Sequence, residues 1–422
     1  MKADSFPMIR DVPYMGVIWV VYEASKRGFY NGHPDWCNLG QGQPEVGDME
    51  GAPARISHLD ILPGDQAYGP VGGTLEAREA VAELYNSMFR RGMKSQYKAE
   101  NVSIASGGRL ALMRFICTLE ADSRVLYQSP DYTAYEDYFF YVRNHCTFVP
   151  MYTSPAEHFK VSSARLQSVV SKEHPSVFIF SNPCNPTGEV IQGDELAHYV
   201  RISREHNMLL AADEFYSHFI YTPDGRPGQG PVSSSAYIED VNKDPVLIFD
   251  GLTKNHRYPG WRAGWTLGPA HCIEMINRAA SAIDGGPSML MQRVLLEAIE
   301  PARFAAETSA LREGFAKKRA LMLERLAQLQ VLPAHAPEGT FYVWADISKL
   351  PAPLDDADAL FFAGLERKVM TVPGRFFDIR PSRIHPVPEP LAHWVRFSFG
   401  PPYAVVEKGL TRLAEVVRGV KG

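Results

Sequence analysis

The strongest constraint on this 422-residue chain is a series of short apolar runs, rich in branched residues, separated by stretches with helical spacing. Six runs lie at residues 101–105, 124–128, 177–181, 208–213, 246–250 and 263–267. Runs this short that are mostly apolar read as strands buried on both faces. Helical intervals fall between several of them, notably 108–119 and 194–206, and an earlier one at 74–90 places Leu75, Val81, Leu84 and Met88 on one face. Strands alternating with helices predict an α/β chain whose mostly parallel sheet is covered on both sides. From residue 301 to about 330 the pattern becomes one long helix, with Leu311, Phe315, Met322, Leu326 and Leu329 on a single stripe. That helix is long enough to reach a smaller α+β domain holding strands at 340–347 and 394–399. The expected division is an arm and part of the small domain at 1–59, a large domain at 60–305 and the small domain at 306–422. A short apolar helix is expected at 14–22, and the Pro-rich stretch 380–390 reads as an extended loop.

Charge and composition narrow the function classes. Forty-three basic against 48 acidic residues leave a net charge of -5, which argues against a general nucleic-acid surface. No run of 18 apolar residues indicates a membrane span. Residues 1–10 lack the apolar core of a signal peptide. The five cysteines are scattered and form no C-x-x-C pair, so neither a disulfide framework nor a zinc site is read from them, and a cytoplasmic setting is expected.

In an open parallel sheet, ligands gather at the carboxyl ends of the strands, and the polar residues of this chain cluster at those ends. Ser106-Gly107-Gly108-Arg109 follows the first strand and opens a helix, where backbone amides can hold a phosphate, although a tight turn explains a glycine pair equally well. Asn182-Pro183-Cys184-Asn185-Pro186-Thr187-Gly188 is more specific: two Asn-Pro steps enforce a non-helical loop and preset the Asn185 amide. Asp213 ends an apolar run, so its carboxylate is a counter-ion for a buried cation or else a helix cap. Lys254 lies just beyond another strand end, in Gly251-Leu252-Thr253-Lys254-Asn255-His256-Arg257, where a solvated lysine is the plainer alternative.

Together, N-P-x-N-P-T-G, the Asp213-Glu214-Phe215-Tyr216 strand end and T-K-N followed by Gly260-Trp261-Arg262 resemble the class I/II aminotransferases. These are pyridoxal-5'-phosphate enzymes of fold type I, the aspartate aminotransferase superfamily. The resemblance runs from about Asn38 to Gly400. It implies that Lys254 carries the cofactor as a Schiff base and moves the substrate's alpha proton. Asp213 would pair with the pyridine nitrogen, Asn185 and Tyr216 would bond the phenolic oxygen, and Tyr132 would stack on the ring. Gly108, Arg109 and Arg262 would hold the phosphate, and Tyr68 would reach it from the second subunit of a homodimer. Arg396, in Val395-Arg396-Phe397-Ser398, would bind the substrate carboxylate, and Gly42 would line the substrate pocket. The implied activity is transamination between an L-amino acid and a 2-oxo acid; elimination, replacement or cyclisation on the same fold are alternatives, as is a non-catalytic homologue. Gly251 departs from the family's usual serine, so Thr253 is expected to take over a phosphate contact. Arg109 is also unusual: a phosphate contact, a substrate contact and a structural salt bridge all remain open. Cys184 is expected to pack, and His256 to be a hydrogen-bonded loop residue.

Overall fold

The computed structural model describes residues 12–421; the amino-terminal stretch 1–10, read above for a signal peptide, lies outside the described residues. A seven-stranded sheet runs in the order Val102–Ala105, Gly264–Leu267, Val246–Gly251, Leu209–Asp213, Val177–Ser181, Arg124–Ser129, Thr147–Tyr152. All neighbours pair in parallel except Gly264–Leu267, which is antiparallel to both of its partners. The six expected strands are present. The seventh, Thr147–Tyr152, was not expected from the sequence, because Thr147 and Pro150 interrupt its apolar pattern. It pairs only with Arg124–Ser129, and an edge position is where a sheet tolerates proline.

Alternation along the strands explains the two cores. Val125 and Tyr127 face one hydrophobic cluster with Ala211, Leu247 and Phe249, under helices Gly108–Ile116, Ala134–Val142 and Ala270–Ile283. Leu126, Leu210, Ala212 and Ile248 face the other, under Leu75–Phe89, Ser163–Glu173 and Asp194–His206. Successive side chains of a strand point to opposite faces, so a sheet covered on both sides needs continuous apolar strands. Helix Leu75–Phe89 is capped by Thr74, whose Oγ1 accepts the Ala77 amide at 3.2 Å. Its buried face is Ala77, Val81, Leu84 and Tyr85, whereas Leu75 is exposed, contrary to expectation. At 100° per residue Leu75 lies well off the direction of Val81.

The long helix spans Pro301–Gln328, and the expected stripe is buried along it and into Leu329. Beyond it a four-stranded sheet orders Val372–Pro373, Trp394–Ser398, Tyr342–Asp346 and Leu332–Pro333, with Trp344 opposite Arg396. The amino-terminal segment joins this end of the molecule. Cys37–Asn38 pairs with Val369–Met370, the Ser398 amide donates to the Leu39 carbonyl at 2.6 Å, and the Glu45 amide donates to Gly400 at 2.8 Å. Stretch 380–390 has no regular structure, as expected, and is pinned to helix Ala134–Val142 by His385 at 2.9 Å from Glu136. Helix Gly16–Ser25 lies close to the apolar segment expected at 14–22. None of the described helices is long and apolar enough to cross a membrane.

Candidate active site

Parallel register decides which side chains meet. Ser181 pairs with Asp213, and Asp213 with Phe249, so the strand ends carrying the Asn185 loop, Asp213 and the Lys254 turn lie side by side. They open on a cavity of about 410 Å³. Gly42, Gly108, Arg109, Tyr132, Asn185, Asp213, Tyr216, Thr253, Lys254, Arg262 and Arg396 all line it. Eleven of the twelve expected site residues are therefore brought together by one chain. Tyr68 is the exception; it is fully exposed and lies outside the cavity.

The turn bearing Lys254 is fixed by buried polar contacts. Asn255 donates through Nδ2 to Asp250 at 2.8 Å and to Ser217 at 3.0 Å. Arg257, fully buried, pairs with Glu307 of the long helix at 2.5 Å and donates to the Gly47 carbonyl at 2.8 Å. Lys254 Nζ donates to the Gly42 carbonyl. Burial, together with the nearby Arg396, Arg109 and Arg262 guanidinium groups, pushes the lysine down to about 7, against the opposing pull of Asp213. Such an amine is partly neutral near neutral pH and able to act as a nucleophile or base.

Asp213 is buried and accepts the Tyr135 hydroxyl at 3.0 Å. Burial raises its carboxyl to about 6, opposed by the Tyr135 bond, so it is mostly ionised at neutral pH. No helix follows it; residues 215–218 form a turn, which removes the capping alternative. On the other side of the cavity Arg396 donates from Nη1 to Asn185 Oδ1 and from Nη2 to the Gly40 carbonyl, each at 2.7 Å. Its guanidinium lies over the Tyr342 ring, 4.0 Å from the centroid, while its Nε is buried with no partner. The Asn185 amide thus spends its oxygen on Arg396 and keeps Nδ2 as a donor.

A family model described as aminotransferase class I and II matches residues 34–413. The chain belongs to the class I and II aminotransferases. An aspartate aminotransferase of Sulfurisphaera tokodaii is 26% identical over 387 residues, 90% of this chain and 89% of that protein. A valine--pyruvate aminotransferase of Mycobacterium tuberculosis is 27% identical over 413 residues, covering 95% of each. Among solved structures, a single mutant of Thermus thermophilus aspartate aminotransferase superposes with a TM-score of 0.77 at 25% identity, over 99% of this chain and 100% of that one. An aromatic aminotransferase from Pyrococcus horikoshii OT3 shares the fold at 21% identity and a TM-score of 0.74, over 95% and 99%. The enzyme is a pyridoxal-phosphate-dependent aminotransferase of fold type I, as its motifs implied.

The donor set of this aminotransferase suits that cofactor. Thr253 Oγ1 is buried without a partner, the state expected of a hydroxyl built to meet a phosphate oxygen. Helix Gly108–Ile116 begins at the same place, and the first amides of a helix have no partner within it. Gly107 has φ +91°, and a Cβ there would lie 2.4 Å from Arg262 Nη2, so the glycine lets this guanidinium approach the helix start. Arg109 lies 3.4 Å from the Tyr132 hydroxyl through Nε, and no carboxylate forms an ion pair with it among the described residues. The structural salt bridge considered above is thereby absent. Cys184 packs in the interior, with Gln128 Nε2 at 3.2 Å from its sulfur. His256 is buried beside a separate small cavity, and burial pushes it down to about 3. Its Nδ1 has no partner.

Two site residues escaped the sequence reading. Tyr342 places its hydroxyl 2.7 Å from that of Tyr216, and Tyr135 holds Asp213. Tyr135 lies three residues after Tyr132 at the start of a helix, which was a usable signal. Tyr342 shares a sheet face with Arg396 only because of the register Trp344 to Arg396, and one sequence does not reveal that register. Gly251 also finds its reason here. A Cβ on it would lie 2.4 Å from the Ala263 carbonyl oxygen and 2.7 Å from Gly264 Cα. Gly251→Ser is therefore expected to cost roughly 1–3 kcal/mol of stability by overpacking backbone that has no room to yield. Chemical denaturation checks this, and an unchanged midpoint would refute the close strand approach.

Proposed function

We propose that this aminotransferase takes an L-amino acid and a 2-oxo acid in alternating half-reactions, with Lys254 as both cofactor anchor and proton carrier. The observation that carries this reading is the buried, partly neutral Lys254 amine facing Asp213 in a cavity whose far wall is Arg396. When bound, pyridoxal phosphate supplies an electron sink for negative charge at the substrate's alpha carbon. Lys254 Nζ would hold the cofactor covalently, and Asp213, kept ionised and oriented by Tyr135, would face its ring nitrogen. Asn185 Nδ2 and the Tyr216 hydroxyl would donate to the ring oxygen. Tyr132 would cover the ring, while Thr253, Arg262, Arg109 and the Gly108 amide would share the phosphate. Arg396 would take the substrate's carboxylate through Nε and its remaining hydrogens, with Gly42 bounding the pocket. Released from the cofactor, Lys254 would move the alpha proton, and Gly42's carbonyl would steady its amine. The dimer belongs to this reading: Tyr68, exposed on one chain, would complete the phosphate site of its partner. So does the division near residues 60 and 305, with the amino-terminal arm packed against the carboxyl-terminal part. A cytoplasmic setting fits the five cysteines, all of them free.

Cofactor capture needs the neutral amine. Its lowered value means that Lys254 is neutral above about pH 7 and protonated below. Capture of pyridoxal phosphate by the apoenzyme should be flat above that pH and fall about tenfold per pH unit beneath it. Stopped-flow absorbance measures this, and a break several units higher would mean a solvated lysine. Arg396→Lys keeps the charge but loses the planar fork, so the substrate KM should rise at least about tenfold with the bound cofactor's absorbance intact. A KM unchanged for every amino acid tried, with a lowered Tm, would make Arg396 a structural tie instead. Inactive Tyr68→Phe/Lys254-intact and Lys254→Ala/Tyr68-intact chains, mixed until their subunits have exchanged, should regain part of the activity. No recovery in proven hybrids would rule out a shared site.

A further inference from the structure

On the far side of the Asn185 loop, away from the cavity, three metal-ligating side chains converge from three separate segments. His158 lies on the turn after strand Thr147–Tyr152, Glu189 directly follows the N-P-C-N-P-T-G motif, and His335 precedes strand Tyr342–Asp346. One ligand atom from each, two imidazole nitrogens and a carboxylate oxygen, all lie within 4.8 Å of one another. None of the three lines the active-site cavity.

The local bonding is incomplete in a telling way. Glu189 is only 6% exposed, so its carboxylate needs a partner. His335 Nε2 lies 2.8 Å from Glu189 Oε1, yet both His335 ring nitrogens are buried without an aligned hydrogen bond. The two groups are close without an aligned hydrogen bond, which leaves both imidazole nitrogens open to a further partner. The backbone beneath is rigid. The Glu338 and Gly339 amides both donate to the Gly188 carbonyl, at 3.0 and 2.8 Å, and a Cβ on Gly188 would lie 2.4 Å from Pro337. His158 is exposed, with φ +53°, beside Phe159, whose buried ring packs 4.7 Å from Trp394. A buried neighbour anchors the backbone, while the exposed imidazole already lies 5.6 Å from the His335 ring, centroid to centroid.

We propose that His158, Glu189 and His335 bind one divalent transition-metal ion of the zinc type. Two imidazoles with one carboxylate favour such an ion over magnesium or calcium, which prefer all-oxygen sites. Ligand atoms around tetrahedral zinc stand roughly 3.4 Å apart, given bond lengths near 2.0–2.1 Å, and rotation of the exposed His158 closes the remaining gap. The fourth position faces solvent and takes water. The ion ties the loop that carries Asn185 to the segment that leads into Tyr342, so it braces two walls of the active site from behind and takes no part in the chemistry.

The test is zinc binding to the chelator-treated, dialysed holoenzyme, followed by calorimetry and by the visible absorption of a cobalt(II) substitute. Wild type is expected to bind one ion per chain saturably, to show the intense bands of tetrahedral cobalt, and to melt a few degrees higher with zinc present. His158→Asn, which suits the left-handed backbone of an exposed residue, should weaken binding at least about tenfold. Glu189→Gln and His335→Gln should do the same, and none of the three should gain thermal stability from zinc. Absence of saturable zinc binding to wild type overturns the proposal. So does equal affinity in wild type and His158→Asn, which would place the ion elsewhere, on the cofactor, the cysteines or the Asp378–His385–Glu389 group.

Discussion

Keeping an amine buried among three guanidinium groups is the condition on which the rest of this active site depends. A lysine in that field sheds its proton easily, and Asp213 is the nearby charge that opposes this. The Tyr135 hydroxyl, with the Phe215 amide and Lys254, opposes the burial that would otherwise raise this carboxyl further. Tyr135 can reach it only because helix Ala134–Val142 starts against the strand ends. The positive cavity of a chain with net charge -5 is thus a local construction. It suits ligands carrying a phosphate and a carboxylate, whose charges replace the water that the guanidinium groups give up on burial.

The two ends of the cavity are mechanically joined. Arg396 holds the Asn185 side chain and the Gly40 carbonyl together, and it rests on the ring of Tyr342, which in turn touches Tyr216. On the function proposed above, a carboxylate arriving at Arg396 would pull on the same Asn185 amide and Tyr216 phenol that would face the cofactor. Pairwise deletion of such a connected set is not additive, and a double-mutant cycle between Arg396 and Tyr216 is the natural way to apportion it.

Much of this was legible in the sequence, for identifiable reasons. A covered parallel sheet writes itself as continuous branched runs, and its strand ends collect the polar residues, so Asp213, Lys254 and the Asn185 loop stood out. Thr147–Tyr152 was hidden because an edge strand escapes the rule of continuous apolarity. Tyr342 was hidden because its role depends on strand register, a relation between distant segments. Leu75 was misplaced by treating apolarity as burial at the first turn of a helix, where the angular position decides. Gly251 read as a departure to be compensated by Thr253. The strand contact shows the glycine to be a steric requirement, and Thr253 is indeed the buried hydroxyl left open nearby.

The pairing of Cys37–Asn38 with Val369–Met370, and of Leu39 with Ser398, has a consequence for how the protein is made. The segment carrying Gly40 and Gly42 leaves the ribosome hundreds of residues before its partners do. During synthesis the seven-stranded sheet can close by itself, since all of its strands lie between Val102 and Leu267. The 37–39 stretch must wait for Val369–Met370, and then for strand Trp394–Ser398, before its pairing is complete. Lys254 can thus take its place on the turn well before Arg396 exists, and the pocket is completed only once strand Trp394–Ser398 is made. A chain interrupted between Leu267 and Val369 would still build the sheet, yet would lack Arg396 and leave residues 37–39 without their partners.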